Sequence, residues 1–144
     1  MGVGDKMTAQ STGYSGTPLA KKLGIKAGFE IKLVNAPNYY FTLFTDLPDD
    51  LKLKDDDASK KDFIHFFTIE ENEYVNMLPL LKDQLKQNGM IWASWPKKAS
   101  KVVTDITEDI IRNFALKIGL VDIKVCAVDE MWSGLKLVIP VKDR

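Results

Sequence analysis

Residues 90–139 constrain the fold of this chain more than any other stretch of its sequence. They begin with a short apolar segment, residues 90–95, which is typical of a strand covered on both faces. Pro96 ends that strand, because a strand inside a sheet cannot lose a backbone amide. Apolar residues at helical spacing follow over residues 106–118, and Gly119 lies where a left-handed helix stop belongs. The pattern predicts a buried strand followed by an amphipathic helix.

The end of the same stretch predicts a hairpin. Residues 121–128 and 135–141 are apolar enough to form strands, and the six residues between them are too few for a helical crossover. We therefore expect the last two strands to be antiparallel neighbours.

The first half of the chain alternates between helices and strands in the same way. Pro79 lies inside the third helix, where it predicts a kink or a break, and Gly89 is the expected end of that helix. Helices are predicted over residues 17–24, 39–44 and 69–88, and strands over residues 28–34 and 62–67. Alternation of this kind predicts a three-layer α/β sandwich, here with a mostly parallel five-stranded sheet.

Two segments match or approach the capping box, in which the side chains of two residues three apart each bind a free backbone amide at a helix start. Thr68 and Glu71 fit the pattern at the start of the third helix. Asp105 and Glu108 form a similar pair before the fourth. The sequence thus predicts that each of these helices carries its own cap.

Composition limits the classes of function. Twenty basic and twenty acidic side chains leave no net charge, so no general attraction to nucleic acid or to a membrane surface is expected. The apolar runs are far shorter than the roughly 20 residues of a membrane helix. Residues 1–16 are rich in Gly, Ser and Thr and predict a flexible arm before a single α/β domain, residues 17–144. With one cysteine and no apolar leader, a cytoplasmic location is expected.

The most polar part of the chain lies between Asp46 and Asp62, with seven acids and four lysines. A solvated loop is the favoured interpretation, and an acidic docking site or a metal loop is the alternative. The triplet Asp55-Asp56-Asp57 lacks the alternating ligands and central glycine of a calcium loop, so no metal is expected.

Two segments resemble class I S-adenosylmethionine-dependent methyltransferases. LGIKAGFEIKLV, residues 23–34, is similar to the entry into the first strand of that fold. LKQNGMIW, residues 85–92, is similar to a late passage in which a long helix, a glycine and a buried strand follow one another. The same fold closes with a hairpin whose final strand is antiparallel. The resemblance implies a shortened, Rossmann-like sheet with strand order 1-2-3-5-4, in which only strand five is antiparallel.

The turn after the first predicted strand departs from that family's pattern. In the family a glycine-rich turn lets the cofactor approach the backbone, whereas this chain has Asn35-Ala36-Pro37-Asn38. Proline removes an amide donor, and each side chain occupies space that a ligand would need. The acidic residue that would hold a ribose after a second strand has no counterpart. We therefore expect neither a cofactor nor methyl transfer.

At whole-chain level the sequence also resembles an uncharacterised bacterial family that is catalogued only as a domain of unknown function. The resemblance runs from Ser11 to Leu137. It is carried by SGTPLAKKLGIK, SWPKKASKV, DITEDIIR and DIKVCAVDEMWSGLKLV. It implies family membership and brings no activity, substrate or catalytic residue.

A ligand is expected at the edge of the sheet where the strands end, since open α/β sheets bind ligands beyond the carboxyl ends of their strands. An indole face beside the ammonium groups of Lys97 and Lys98 suits a planar anionic ligand or an acidic partner segment. Plain packing of Trp95 beside solvated lysines is the favoured interpretation of the same group. The predicted ligand-binding residues are Asn35, Pro37, Asn38, Thr68, Trp95, Lys97, Lys98, Asp129, Glu130 and Trp132.

The other reactive residue types are interpreted as structural. His65, the only histidine, lies in mid-strand among apolar residues, and Cys126 is flanked by apolar residues, which predicts a buried, inert thiol. Acids near a helix start suit the helix dipole, and a glutamate and an arginine four residues apart are an ordinary surface pair. That interpretation covers Asp105, Glu108, Asp109 and Arg112.

These observations favour a non-catalytic binding or regulatory domain over an enzyme. The sequence contains no phosphate-binding loop, nucleophile elbow, zinc motif or dinucleotide fingerprint. The expected function is recognition of a small anionic ligand or a protein partner at the carboxyl edge of the sheet. The alternative is a small enzyme of methyltransferase-like fold that acts on a nucleotide-like or adenosyl ligand in the same crevice.

Overall fold

A six-stranded sheet with the order β2-β1-β3-β4-β6-β5 organises the computed structural model, which describes residues 16–144. The strands are β1 (Glu30–Val34), β2 (Lys52–Leu53), β3 (Lys61–Phe67), β4 (Leu85–Pro96), β5 (Val121–Ala127) and β6 (Trp132–Val138). The α-helices are α1 (Leu19–Leu23), α2 (Glu71–Lys82) and α3 (Glu108–Lys117). Short 3₁₀ turns occupy Tyr40–Leu43, Lys98–Ser100 and Val141–Asp143.

The predicted α/β class and the order of the five predicted strands are confirmed. β1, β3 and β4 pair in parallel, and β6 lies antiparallel between β4 and β5, as the short hairpin link requires. The sixth strand, β2, was not predicted. It pairs in parallel with the outer edge of β1 through two exposed residues, which carry no apolar pattern that the sequence could show.

Apolar layers cover both faces of the sheet, which confirms the three-layer sandwich. One face packs against α2 and α3, and the other packs against α1 and the aromatic 3₁₀ turn. The first face is built around the buried side chains of Ile64, Phe66, Ile91, Leu135 and Leu137. The second is built around Ile31, Phe63, Phe67, Trp92 and Trp132.

The boundary between α2 and β4 differs from the prediction. The helix continues through Pro79 but ends at Lys82, and β4 begins three residues later at Leu85. Gly89 is therefore not a helix stop. It lies within β4 beside an irregularity in the pairing with β3, which packs the two backbones closely there.

Replacing Gly89 by alanine is expected to lower the free energy of unfolding by about 2–3 kcal/mol, the range of an overpacked core position. An added Cβ would lie 2.9 Å from the carbonyl oxygen of Lys61 and 3.1 Å from that of Asp62, and backbone atoms cannot move aside cheaply. Gly28→Ala is the control. A Cβ added at residue 28 meets no atom closer than 4.0 Å. This variant is therefore expected to lose only the roughly 1 kcal/mol that a positive φ costs an alanine. The free energies of unfolding are measured in urea. If Gly89→Ala and Gly28→Ala lowered this free energy equally, the packing argument would be contradicted.

The first turns of α1 and α2 are capped by side chains that are distant in the sequence. The carboxylate of Asp46 accepts hydrogen bonds from the backbone amides of Ala20 and Lys21, both at 3.0 Å. The carboxylate of Asp105 accepts one from the amide of Glu71 at 2.7 Å. These long-range caps fix the positions of the helices relative to the loops that follow the strands.

Neither predicted capping box forms. The Thr68 hydroxyl donates to the carboxylate of Glu73 at 2.8 Å, and Glu70 is the residue that precedes α2. In α3 the cap is Thr107, whose hydroxyl accepts the amide of Ile110 at 3.2 Å. The sequence spacing was correct for a capping box, but oxygen atoms of other residues accept the hydrogen bonds from the amides at these helix starts.

The acidic stretch after β2 folds onto two buried lysines, in a group that we call the lysine clamp: Lys32, Lys61, Gln84, Asp56 and Asp57. Lys32 Nζ donates to Asp57 Oδ1 at 2.9 Å and to Gln84 Oε1 at 2.7 Å. Lys61 Nζ donates to the backbone carbonyl of Asp56. The carboxylates are exposed, as a solvated loop predicts, but the loop is also held to the core through these lysines.

The predicted arm, residues 1–16, lies outside the described residues except for Gly16, so its flexibility stays a prediction. Within residues 16–144 no helix is long and apolar enough to cross a membrane.

Candidate functional site

One edge of the sheet collects most of the residues that sequence analysis selected. Because β1, β3, β4 and β5 run in the same direction, their carboxyl ends meet there, and antiparallel β6 begins there. Asn35, Thr68, Lys97 and Asp129 follow those strands within two residues, and Trp132 opens β6. Two separate cavities of opposite charge lie along this edge.

The first cavity, which we call the acidic pocket, has a volume of about 480 Å³. That volume falls within the range of small-molecule sites, about 300–1,000 Å³. Two carboxylates and no lysine or arginine line it. The lining residues used below are Asn35, Phe67, Thr68, Ile69, Glu70, Glu73, Val102, Met131 and Trp132.

A hydrogen-bond network joins three chain segments at this pocket. Asn35 Nδ2 donates to Glu73 Oε2 at 3.2 Å and to the carbonyl of Phe67 at 3.1 Å. The other carboxylate oxygen, Glu73 Oε1, accepts from the Thr68 hydroxyl at 2.8 Å. The end of β1, the end of β3 and the first turn of α2 are thereby tied to one carboxylate, which holds a negative charge at a defined position.

The turn after β1 adopts a conformation that glycine usually provides. Asn35 has φ = 59°, in the left-handed region. Asparagine enters that region more readily than most residues, because its short polar side chain can form local hydrogen bonds. The end of β1 therefore adopts a left-handed turn without a glycine.

Trp132 lines the same pocket, but its indole nitrogen does not face the opening. Nε1 is buried and lies beside the hydroxyl of Tyr39, without a hydrogen bond of ordinary geometry among residues 16–144. Burial raises the pKa of the Tyr39 hydroxyl, hydrogen bonding to Asp129 raises it further, and hydrogen bonding to the Trp132 indole lowers it.

The second cavity, which we call the basic depression, has a volume of about 560 Å³ and is lined by three lysines and one acid. The acid, Glu108, is paired with Arg112, which also binds Asp109 and Asp122. Those acids raise the pKa of the Arg112 guanidinium, first through Glu108. The lining residues used below are Trp95, Lys97, Lys98, Lys101, Val102, Val103 and Glu108.

The loop between Lys101 and Thr107 separates the two cavities. The Thr104 hydroxyl donates to the carbonyl of Ile69 at 2.6 Å, and Asp105 caps α2, so two contacts fix this loop to the start of that helix. Val102 lines both cavities. The cavities are thus neighbours across a single side chain.

The structure separates the predicted ligand residues into three sets. Asn35, Thr68 and Trp132 line the acidic pocket, and Trp95, Lys97 and Lys98 line the basic depression. The other four residues line neither cavity. Asp129 accepts the backbone amides of Met131 and Trp132 at 2.8 and 2.7 Å and so shapes the hairpin turn, while Pro37, Asn38 and Glu130 lie in loops at the same edge.

Glu73 is the residue at this edge that sequence reasoning missed. Thr68 and Glu71 matched a capping box, which drew attention to the wrong glutamate of the first turn. Sequence spacing gave no signal that selects Glu73 over Glu70 and Glu71, because which first-turn acid meets Thr68 depends on where α2 begins.

His65 and Cys126 do not contribute to either cavity. His65 is fully buried and exchanges hydrogen bonds with Tyr40 Oη at 2.9 Å and Ser94 Oγ at 2.8 Å, which confirms the structural interpretation. Cys126 is half-buried rather than buried, and burial raises the pKa of its thiol. Within residues 16–144, no group of three or more His, Cys, Asp or Glu residues is arranged to hold a metal ion.

No protein-family model and no curated protein matches the chain. Solved structures do match in fold. A "putative type 11 methyltransferase" from Sulfolobus solfataricus is 15% identical with a TM-score of 0.58, over 85% of this chain and 90% of that one. Magnesium protoporphyrin IX methyltransferase from Synechocystis PCC 6803, with bound S-adenosylmethionine, is 10% identical with a TM-score of 0.55, over 85% and 74% of the two chains.

A third match is the ribosomal protein L11 methylase from Lactobacillus delbrueckii subsp. bulgaricus, which is 12% identical with a TM-score of 0.54 over 83% of this chain and 73% of that one. This chain spans between 34% and 52% of the length of several other matched structures. Identities this low describe the fold alone.

These matches contradict the expectation of a non-catalytic domain that is not an enzyme. That expectation rested on the absence of a recognisable catalytic motif and of a glycine-rich turn, whereas the three structures reported above are methyltransferases, one of them with S-adenosylmethionine bound. Asn35 takes a left-handed conformation without glycine, so the lack of a glycine-rich turn was a weak ground for that expectation. The fold-level resemblance is confirmed: this chain has the fold of class I S-adenosylmethionine-dependent methyltransferases.

Proposed function

We propose that this protein is a methyltransferase-like enzyme that binds S-adenosylmethionine in the acidic pocket. The observation that carries the proposal is the carboxylate of Glu73, held between the ends of β1 and β3 by Asn35 and Thr68. Ligands of open α/β sheets bind in this position, beyond the carboxyl ends of the strands. The proposal replaces the expectation that the protein uses no cofactor.

The charge of the pocket distinguishes between adenosyl ligands and nucleotides. S-adenosylmethionine carries a sulfonium and an ammonium group against one carboxylate, so it has a net positive charge. Glu70 and Glu73 attract such a ligand and repel the phosphates of a nucleotide. Of the two ligand classes considered from sequence, the pocket therefore favours the adenosyl compound.

The residues of the pocket fit the parts of this cofactor. Ile69, Met131 and the edges of Phe67 and Trp132 give the pocket an apolar wall suited to a purine ring. Thr68 and Asn35 keep the Glu73 carboxylate in place. The acidic residue that holds a ribose after the second strand in the resembling family is still missing, because Asp56 and Asp57 belong to the lysine clamp. When bound, S-adenosylmethionine supplies an electrophilic methyl group.

Glu73→Gln is expected to weaken the binding of S-adenosylmethionine about tenfold, which corresponds to roughly 1.4 kcal/mol. The change keeps the shape of the side chain and removes its charge. S-adenosylhomocysteine lacks the sulfonium charge, so its affinity is expected to fall less. Calorimetric titration of both ligands into the wild type and the variant measures the difference.

Glu71→Gln is the matched control, because Glu71 lies in the same helical turn, is exposed and does not line the pocket. Its affinity for both ligands is expected to equal that of the wild type. The absence of heat with either ligand at millimolar concentration, in a folded wild-type protein, would overturn the proposal. If Glu73→Gln and Glu71→Gln lost the same affinity for S-adenosylmethionine, the overall negative charge of this helical turn, and not the pocket, would attract the ligand.

Two finer expectations from the sequence remain predictions. They are the cytoplasmic location and the absence of nucleic-acid partners.

A further inference from the structure

We propose that the basic depression is a second binding site, which takes an organic anion with an apolar body. The cavity adjoins the acidic pocket across Val102 and is lined by Lys97, Lys98 and Lys101. The binding of an anion there does not depend on the proposed function.

The balance of charges makes this cavity attractive to anions. Glu108 is its one acidic residue, and Arg112 neutralises that carboxylate within the protein. The three lysine ammonium groups have no such acidic partner among the ion pairs of the described residues. Three unpaired cations around one cavity favour a carboxylate, sulfonate or phosphate ester over a neutral or cationic ligand.

The remaining walls are apolar, which limits the class of anion further. Trp95 and Val102 line the cavity, and Val103 does so with 91% of its surface exposed. Covering such an exposed apolar side chain with a ligand removes apolar surface from water and so favours binding. A small inorganic anion would leave this surface uncovered, so a ligand with both a charged end and an apolar or aromatic body fits better.

The backbone at Lys101 provides an independent indication. Lys101 has φ = 61°, a left-handed conformation that costs a lysine roughly 1–2 kcal/mol relative to the right-handed one. The residue ends the Lys98–Ser100 turn, where glycine would be free of strain. Strained residues of this kind cluster at ligand sites, and this one is a lysine that lines the cavity.

The probe for this site is 8-anilinonaphthalene-1-sulfonate, an aromatic anion whose fluorescence rises on binding to apolar surface. The double variant Lys97→Gln/Lys98→Gln is expected to raise its dissociation constant at least tenfold. Lys101→Gly, which removes the third charge and suits the local φ, is expected to raise it severalfold without lowering the melting temperature. The uncharged analogue N-phenyl-1-naphthylamine is expected to bind all variants equally.

The matched control is Lys26→Gln/Lys142→Gln, which removes two exposed charges outside the depression. Unchanged sulfonate binding in the Lys97/Lys98 variant, or an equal loss in the control, would overturn the site. An equal loss of the uncharged analogue would show that apolar surface alone binds the probe, which also overturns it. S-adenosylmethionine titrated into the same variants is expected to bind as in the wild type, so a failure of the cofactor proposal is seen separately.

Discussion

Acidification from pH 6.5 to pH 4.5 is expected to lower the free energy of unfolding by about 2 kcal/mol through a single residue, His65. The imidazole is fully buried, and burial lowers its pKa from 6.5 to about 3. Between those pH values the unfolded chain binds a proton at His65 that the folded chain does not. Stability from this group is therefore complete above pH 6.5 and is lost as the pH falls towards 3.

Urea unfolding of the wild type and of His65→Gln at pH 4.5, 5.5 and 6.5 measures this effect. Glutamine can still exchange hydrogen bonds with Tyr40 and Ser94, and the chain has no other histidine. The variant is expected to be less stable at neutral pH and to show a smaller slope of stability with pH. Asp56, whose pKa is lowered to about 2, first by the backbone amide of Ser59, affects stability below this window. Parallel slopes for the two proteins would contradict the assignment.

Lys61→Met is expected to lower the free energy of unfolding by about 2–4 kcal/mol, because it breaks the lysine clamp. The side chain of Lys61 is fully buried, and its ammonium group donates to the carbonyls of Asp56 and Ser59, the latter at 2.8 Å. Burial lowers the pKa of this ammonium group, and the charge of Asp56 opposes that effect. Methionine preserves the volume but leaves the two carbonyls without their donor.

Lys52→Met is the control for this prediction, since Lys52 is an exposed lysine on the edge strand β2 of the same sheet. Its effect is expected to stay within about 0.5 kcal/mol. Hydrogen exchange should show faster exchange of the amides in residues 56–61 in Lys61→Met and not in the control. If Lys61→Met were as stable as the wild type, the clamp would not contribute to the fold.

The buried strands and the pairing of the last two were predictable from local features, whereas the order of the five strands followed from the resemblance to a known fold. The apolar strands around Ile64 and Ile91 must be buried on both faces, and a six-residue link forces the last two strands to pair directly. The boundary of α2 was not predictable in the same way. Leu85 continues the helical apolar spacing and equally begins a strand, and only the pairing of β4 with β3 decides between them.

The caps and the lysine clamp could not be predicted, because their partners are far apart in the sequence. Asp46 caps α1 across 25 or 26 residues, and Gln84 reaches Lys32 across 52. An amide at a helix start donates to any suitable oxygen that the fold brings near it. A capping box is therefore one of several solutions, and the packing of loops selects among them.

The sequence by itself determined the alternation of strands and helices, the pairing of the last two strands and the edge of the sheet where Asn35, Thr68 and Lys97 meet. Those features follow from apolar periodicity and loop length, which are local properties. Tertiary structure decided that the edge contains two cavities of opposite charge, because Glu73 and the Thr104 loop come to it from separate segments. Electrostatic character depends on distances between such segments, and those distances exist only once the chain has folded.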